Sequence, residues 1–371
     1  MTKKKIIAVI GTRPDAIKMS PLIKELKKSD CFETITVSTG QHTDMLNQVL
    51  DCFDIKPDEN LEIMTENQTV TDITEKVLVK MDSLIKKYSP DVILVHGDTT
   101  SAFASALAGF YNRIPVGHIE AGLRTYNKYS PYPEEYNRVS IDYISEYLFA
   151  PTQKAEQNLI REGLDKAKIF VTGNTVVDAL KTTKDKGNNK ELIEWVRERK
   201  LVLLTSHRRE NLGEKMKDIF KAIGDITDKF DDWCCIYPVH KNPKVREEAF
   251  NVLKDRENIL LTEPLDTFDF HNLMSMSDLI ITDSGGIQEE APSFDVPVFV
   301  IRDYTERPEG IEAGCAKLIG TEYEKIYDSV LSFIQTEGKE FANMKNPYGD
   351  GHASERIRKI LEESFKQNMD I

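Results

Sequence analysis

Short apolar runs alternate with longer amphipathic stretches from one end of the chain to the other, the pattern of a parallel α/β fold. In the first half, strands are predicted at Lys5–Ile10, Ile35–Thr39, Val92–Val95, Val116–Ile119, Tyr147–Ala150 and Ile169–Val171. In the second they are predicted at Leu201–Thr205, Cys234–Pro238, Ile259–Leu261, Leu279–Thr282, Val296–Ile301 and Ala316–Ile319. Helical spacing is clearest where Ile17, Leu22, Ile23 and Leu26 form one stripe, and where Ile357, Ile360, Leu361 and Phe365 form another near the end. A stripe of that kind needs a surface to pack on. Between the halves, Lys181–Glu198 is rich in Lys, Asn and Glu, with Gly187–Asn188–Asn189 as the predicted flexible point. The expected organisation is therefore two doubly wound, Rossmann-like α/β domains, residues 1–180 and 181–351, facing each other across a cleft, with a helix of about 352–371 returning to the first.

The 371 residues are enough for two cores, and 40% hydrophobic with 30% charged residues is ordinary globular composition. No apolar run approaches a membrane span. Lys3–Lys5 leads straight into a strand without the apolar segment of a secretory signal, so a cytoplasmic protein is expected. A formal charge of −13 argues against nucleic acid or an anionic membrane as partner, and any anionic ligand then needs local cations. The five cysteines show no zinc-type spacing and read as free thiols, with Cys234 and Cys235 in a strand.

Chemistry-bearing residues gather where the predicted strands end. Lys5–Ile10 runs into Gly11–Thr12–Arg13–Pro14; Pro14 suits a helix's first turn, which puts Arg13 at a strand end and Lys18 one turn on. Both can be solvated charges, with ligand contact the preferred reading for Arg13. His96–Gly97–Asp98–Thr99–Thr100 follows Val92–Val95, and Asp98 taken alone reads as a helix N-cap. Glu120 closes the next strand, and Glu134 follows a loop stiffened by Pro131 and Pro133. One of Glu134 and Glu135 is explained by attraction to a helix N-terminus. Asp98, Glu120 and Glu134 together read differently: crowded carboxylates raise one another's pKa and supply a proton carrier near neutral pH.

In the second half, Leu279–Thr282 leads through Asp283–Ser284 into Gly285–Gly286 and an acidic helix. A Gly pair at such a turn admits an anion to the backbone, where the helix's first N–H groups hold it. Glu290, about one turn in, suits ribose hydroxyls and so favours a nucleotide over bare phosphate. His207–Arg208–Arg209 reads as an anion site, His240 as structural, and Arg307 as partner to a substrate oxygen or to Glu306 or Glu309. Dinucleotide, P-loop and Gly-x-Ser-x-Gly patterns are absent, and neither a cofactor nor a metal is expected. His118 and Glu120, two apart on a strand, lack a third ligand nearby.

Motifs in the same order along nearly the whole chain resemble the non-hydrolysing UDP-N-acetylglucosamine 2-epimerases. They are Gly11–Lys18, Gln41–His42, Val95–Thr100, Gly117–Thr125, Ser130–Arg138, His207–Glu210, Tyr237–His240, Asp283–Ser293, Arg302–Glu309 and Asn346–Gly351. The resemblance implies a glycosyltransferase-B-type fold, a homodimer, and interconversion of UDP-GlcNAc with UDP-ManNAc for cell-surface polysaccharide. It implies acid–base roles for Asp98, Glu120 and Glu134, and a diphosphate contact for His207. Contacts to UDP or the sugar are implied at Arg13, Lys18, Phe270, Ser284, Gly285, Gly286, Glu290 and Arg307. A second UDP-GlcNAc, acting as activator, is implied near Gln41, His42, Arg208 and His240. Departures from the family pattern are Asp15 for Glu, Gly40 for Ala, Ser206 for Gly or Ala, and Leu265 for the Gln ahead of Phe270. None removes a proposed catalytic group. The rival readings are a glycosyltransferase of the same fold, a catalytically silent UDP-sugar sensor and a hydrolysing epimerase.

Overall fold

A computed structural model describes residues 3–40, 43–65, 68–305, 307–342 and 344–367. The chain forms two compact units, residues 1–179 with 348–371, and residues 180–347. In the first, strands β1 (Lys4–Ile10), β2 (Phe32–Ser38), β3 (Glu59–Asn60), β4 (Val92–His96), β5 (Val116–Ile119), β6 (Tyr147–Ala150) and β7 (Ile169–Val171) form a parallel sheet ordered β3-β2-β1-β4-β5-β6-β7. In the second, β8 (Lys200–Thr205), β9 (Trp233–Pro238), β10 (Ile259–Thr262), β11 (Leu279–Thr282), β12 (Val298–Val300) and β13 (Ala316–Leu318) are ordered β10-β9-β8-β11-β12-β13.

Every strand predicted from apolar runs is present, and β3 is added at one edge. The central strands read as unbroken apolar runs because helices cover both faces of the sheet; Ile6, Ile7, Ala8, Ile10 and Val92–Val95 have no exposed surface. Both sheets share one winding. Strands are laid outward from β1 on one side and from β4 on the other, and likewise from β8 and β11. Beyond the carboxyl ends of those paired strands the direction of winding reverses, which is where doubly wound sheets leave a crevice for ligands.

The segment Gly187–Asn189, predicted as a flexible point, is tied down within the second unit. Asn188 N–H donates to Asp269 Oδ1 (2.6 Å), and the Asn189 side chain donates to Asp269 O (2.6 Å). The break between units falls within the helix Thr175–Thr183, between residues 179 and 180 and one residue from the expected boundary. The last helix, Ala353–Gln367, packs in the first unit on Arg13–Lys28, burying Ile357, Leu361 and Phe365. Asp178 anchors its first turn by accepting from the N–H groups of Ala353 (3.1 Å) and Ser354 (2.8 Å). Among the described residues no helix is long and apolar enough to cross a membrane.

Leu361 has no exposed surface, so truncation leaves a cavity against the helix Arg13–Lys28. Leu361→Ala should destabilise the first unit by about 2–5 kcal/mol in denaturant unfolding; a loss near that of an exposed position would mean that this helix is not part of the first core.

Candidate active site

In the first unit, residues at the carboxyl ends of β1, β4 and β5 converge. Thr12 caps the helix Arg13–Lys28, and Asp15 returns the contact by accepting from Thr12 N–H (2.9 Å), a capping box that fixes Asp15 in the interior. Gly11 makes room for it: a Cβ there would stand 2.7 Å from Asp15 Oδ2 and 2.5 Å from Ser101 Oγ. Lys18, one turn along, forms an ion pair with Glu120, and Asn174 Nδ2 also approaches Glu120 Oε1 (3.5 Å). Glu120 itself has φ +72°, a left-handed backbone that a carboxylate-bearing residue adopts only at some cost. The fold holds it there through N–H bonds from Glu120 and Ala121 to Phe149 O, both 3.1 Å.

Asp98 was expected to cap the following helix if it had no other role. The cap is Thr99, whose hydroxyl accepts from Ala102 N–H (3.2 Å). Asp98 instead forms an ion pair with Arg138, while Asn137 Nδ2 donates to Asp98 O (2.9 Å). Burial holds the Asp98 carboxyl above its ordinary range; Arg138 pulls it down, and Glu120 and Asp15 add to the rise. Glu134 begins the helix Glu134–Ile144 that carries Arg138, and it is half-buried. Its neighbour Glu135 is the structural acid, buried and accepting from the N–H groups of Thr125 and Tyr126, each at 2.8 Å.

A buried network sets the spacing of these groups. His118, fully enclosed, meets Asp142 Oδ1 with Nδ1 (2.6 Å) and Gly97 O with Nε2 (2.8 Å). Asp142 also accepts from Gly122 N–H (3.2 Å) and pairs with Arg124 (2.7 Å), which forks onto Glu162. With both ring nitrogens engaged, His118 is not available to share a metal with Glu120. It links the loop bearing Asp98 to the strand bearing Glu120.

In the second unit, Asp283 organises the site. Its carboxylate has no exposed surface and accepts from His207 N–H (2.9 Å), Arg208 N–H (2.9 Å), Asn211 Nδ2 (3.1 Å) and Ser206 Oγ (3.2 Å). His207 Nδ1 lies 3.1 Å from Asp283 Oδ1, and Arg208 Nε donates to Asp283 O (3.3 Å). The His207 and His240 rings stack at 5.5 Å. Burial lowers the His240 pKa, His207 adds to that, and Asp283 opposes it. Buried Arg302 braces the loop from the other side through Glu210 (3.0 Å).

After Asp283, Ser284 caps a short helix, Gly285–Glu290. Neither Gly285 nor Gly286 has a left-handed backbone. The demand at Gly285 is space, since a Cβ would lie 3.3 Å from the Arg307 guanidinium, which donates to Glu289 (2.8 Å). That pairing with Glu289 was not among the partners the sequence suggested. Glu290 faces His271 Nε2 (3.5 Å), and His271 Nδ1 meets Thr183 Oγ1 (2.8 Å). Phe270 precedes His271 and packs in part on the apolar cluster of Leu273, Met274 and Ile280.

Lys18, Asp98 and Glu120 thus come together in the first unit; Arg13 opens the helix that carries Lys18, and Glu134 opens the helix whose Arg138 pairs with Asp98 and Glu135. His207, Arg208, His240, Ser284, Gly285, Gly286 and Arg307 are connected around Asp283 in the second. Gln41 and His42 lie outside the described residues. Sequence reasoning assigned no role to Asp15, His96, Arg138 or Asp283. All four stood inside quoted motifs, Gly11–Lys18, Val95–Thr100, Ser130–Arg138 and Asp283–Ser293, and were overlooked because only their neighbours were read for chemistry.

Comparison with known proteins adds a family. The sequence profile described as UDP-N-acetylglucosamine 2-epimerase matches residues 24–362. A Bacillus subtilis protein named UDP-N-acetylglucosamine 2-epimerase is 53% identical over 359 residues, covering 96% of this chain and 94% of its own. The crystal structure of UDP-GlcNAc 2-epimerase from Neisseria meningitidis bound to UDP-GlcNAc has a TM-score of 0.85 at 44% identity, covering 97% of this chain and 100% of that one. The Methanocaldococcus jannaschii UDP-GlcNAc 2-epimerase in complex with UDP-GlcNAc and UDP has a TM-score of 0.78 at 37% identity, covering 97% and 99%.

The Asp283 clasp has a pH signature. Burial alone would raise its pKa, but His207 and the N–H groups of Arg208 and His207 outweigh that and hold it below 3.8. A depressed carboxylate contributes stability that is complete above its unfolded value of about 3.9 and disappears as pH falls through the folded value. Asp283→Asn should cost about 1–3 kcal/mol at pH 7 and flatten the second unit's loss of stability below about pH 4, both read from denaturant melts at several pH values. An unchanged acid slope would show that another group carries it.

Proposed function

The chain belongs to the UDP-N-acetylglucosamine 2-epimerase family, and from that membership we propose that it interconverts UDP-GlcNAc and UDP-ManNAc, without a cofactor, as an isomerase of glycosyltransferase-B-type fold. The observation that carries the reading is the convergence of Asp98 and Glu120 at the first unit's winding reversal, with Glu134 at the start of the helix whose Arg138 pairs with Asp98. A buried carboxyl whose pKa is raised and a second one close by supply a proton donor and an acceptor for the same carbon.

The hydrogen on carbon 2 is barely acidic, so a side chain cannot hold a free carbanion there. Elimination avoids it. In the α-linked gluco sugar the carbon 2 hydrogen and the UDP on carbon 1 can stand trans-diaxial, so the C–H and C–O bonds break together to give 2-acetamidoglucal and UDP. A carboxylate receives the proton, and the diphosphate carries off the electron pair. UDP then re-adds at carbon 1 while a carboxyl group on the opposite face protonates carbon 2. Arg13, His207 and the Ser284–Gly286 backbone stabilise the departing diphosphate as an oxyanion hole would. Lys18, Phe270, Glu290 and Arg307 hold the nucleotide and sugar. The same family reading carries a homodimer, a second UDP-GlcNAc as activator near Arg208 and His240, and the supply of ManNAc for cell-surface polysaccharide in the cytoplasm.

NMR of UDP-GlcNAc with the protein in deuterated water tests the proposal: deuterium should appear at carbon 2 alongside UDP-ManNAc, with no acceptor required and no free ManNAc released. Asp98→Asn, Glu120→Gln and Glu134→Gln should each slow exchange by about 10²–10⁴-fold. Near-normal exchange in all three would refute the acid–base assignment, and sugar transfer to an added acceptor would favour the glycosyltransferase.

A further inference from the structure

We propose that His96 is a positioning residue that relays a proton between Glu120 and Asp15, resetting Glu120 from one turnover to the next; the inference rests on the acid–base reading of Glu120. His96 ends β4 and is 4% exposed, yet among the described residues neither ring nitrogen has a hydrogen-bond partner. Orphaned polar atoms at such depth are costly, and native interiors keep few of them. His118 provides the contrast within the same unit, with both nitrogens engaged at 2.6 and 2.8 Å. The His96 ring lies between two carboxylates, with Nδ1 3.5 Å from Asp15 Oδ1 and Nε2 3.9 Å from Glu120 Oε1.

Each flanking acid is held in place by other groups. Asp15 Oδ2 takes the Thr12 N–H (2.9 Å) and faces Thr99 Oγ1 (3.5 Å), which leaves Oδ1 toward the ring. Glu120 is fixed by its left-handed backbone and by Lys18. The charged groups around the ring are Asp15 and Lys18 from the helix Arg13–Lys28, Asp98 two residues on, Glu120 after β5, and Arg138 on the far side of Asp98. Proton-transfer pairs are often loose without substrate and tighten when it binds.

The relay balances without a further reagent. Protonated Glu120 gives its proton to His96 Nε2 as His96 Nδ1–H passes its own to Asp15 Oδ1. One O–H and one N–H bond break, one of each forms, and the imidazole changes tautomer. The outcome is a carboxylate at Glu120 and a carboxylic acid at Asp15, ready to run in reverse.

The test is a double-mutant cycle of His96→Asn and Asp15→Asn in the full chain, following kcat, KM for UDP-GlcNAc, the pH profile of kcat and the thermal midpoint. Each single variant should lower kcat by about 10²-fold, leave KM and the midpoint near the parent's and shift the same limb of the pH profile. The double variant should lose no more than either alone, since the residues act as one unit. Unchanged kcat and pH profile in His96→Asn, or additive losses in the double variant, overturn the relay. Should His96→Asn fail to fold, Asp15→Asn decides: the shifted limb supports the relay and the parental profile overturns it. No carbon 2 exchange in the parent protein would overturn the acid–base reading and the relay with it, whereas full exchange with indifferent variants overturns the relay alone.

Discussion

A buried carboxylate, Asp283 at the end of β11 in one unit and Asp142 on the helix Glu134–Ile144 in the other, is the constraint on which each candidate site depends. The turn after β8 exposes backbone N–H groups that no strand can accept, and Asp283 at the end of β11 takes those of His207 and Arg208 while also accepting from Ser206 and Asn211. A carboxylate suits the place because it offers several lone-pair directions and no donor that could clash with those N–H groups. Charge also matters. Asp283 lies beneath a histidine and an arginine, and it keeps them together in a chain whose formal charge of −13 would otherwise repel an anionic ligand.

The first unit uses the same device with a different consequence. Asp142 joins His118, Gly122 and Arg124, and through His118 it reaches Gly97 O beside Asp98. Arg124 pairs with both Asp142 and Glu162, and the side chains of Arg124 and Asp142 have no exposed surface. The network fixes the spacing of the loops carrying Asp98 and Glu120 without using either acid. Two histidines on adjacent strands, His96 and His118, consequently have opposite surroundings: His118 is fully bonded, and among the described residues His96 has no hydrogen-bond partner.

Both arrangements sit where the winding of a sheet reverses. The adjoining loops diverge there, leaving backbone groups that must be satisfied by side chains, and a ligand can approach the same groups. The residues that complete the turns are therefore also the ones that define what can bind. Asp15 illustrates this: its capping contact with Thr12 stabilises a helix and at the same time directs its other oxygen at His96.

Much of the fold was legible in the sequence because apolar periodicity directly records which faces are covered; the strands covered on both sides appear as continuous runs, and the stripe Ile357–Phe365 announced a docked helix. The strand-end positions of Asp98 and Glu120 and the Gly pair at its turn were legible too, because strand ends and turn residues leave local marks. The sequence also carried the family through long motifs in fixed order. What tertiary structure alone decided was pairing: that Arg138 rather than a helix end holds Asp98, that Lys18 meets Glu120 across a separation of 102 residues, and that Arg307 turns to Glu289. Partners so far apart in sequence leave no periodic signal, since an ion pair or buried hydrogen bond is selected by the distance between side chains after packing. The same reason explains His96, whose identity is plain in the sequence but whose lack of a partner among the described residues exists only once the strands have been set side by side.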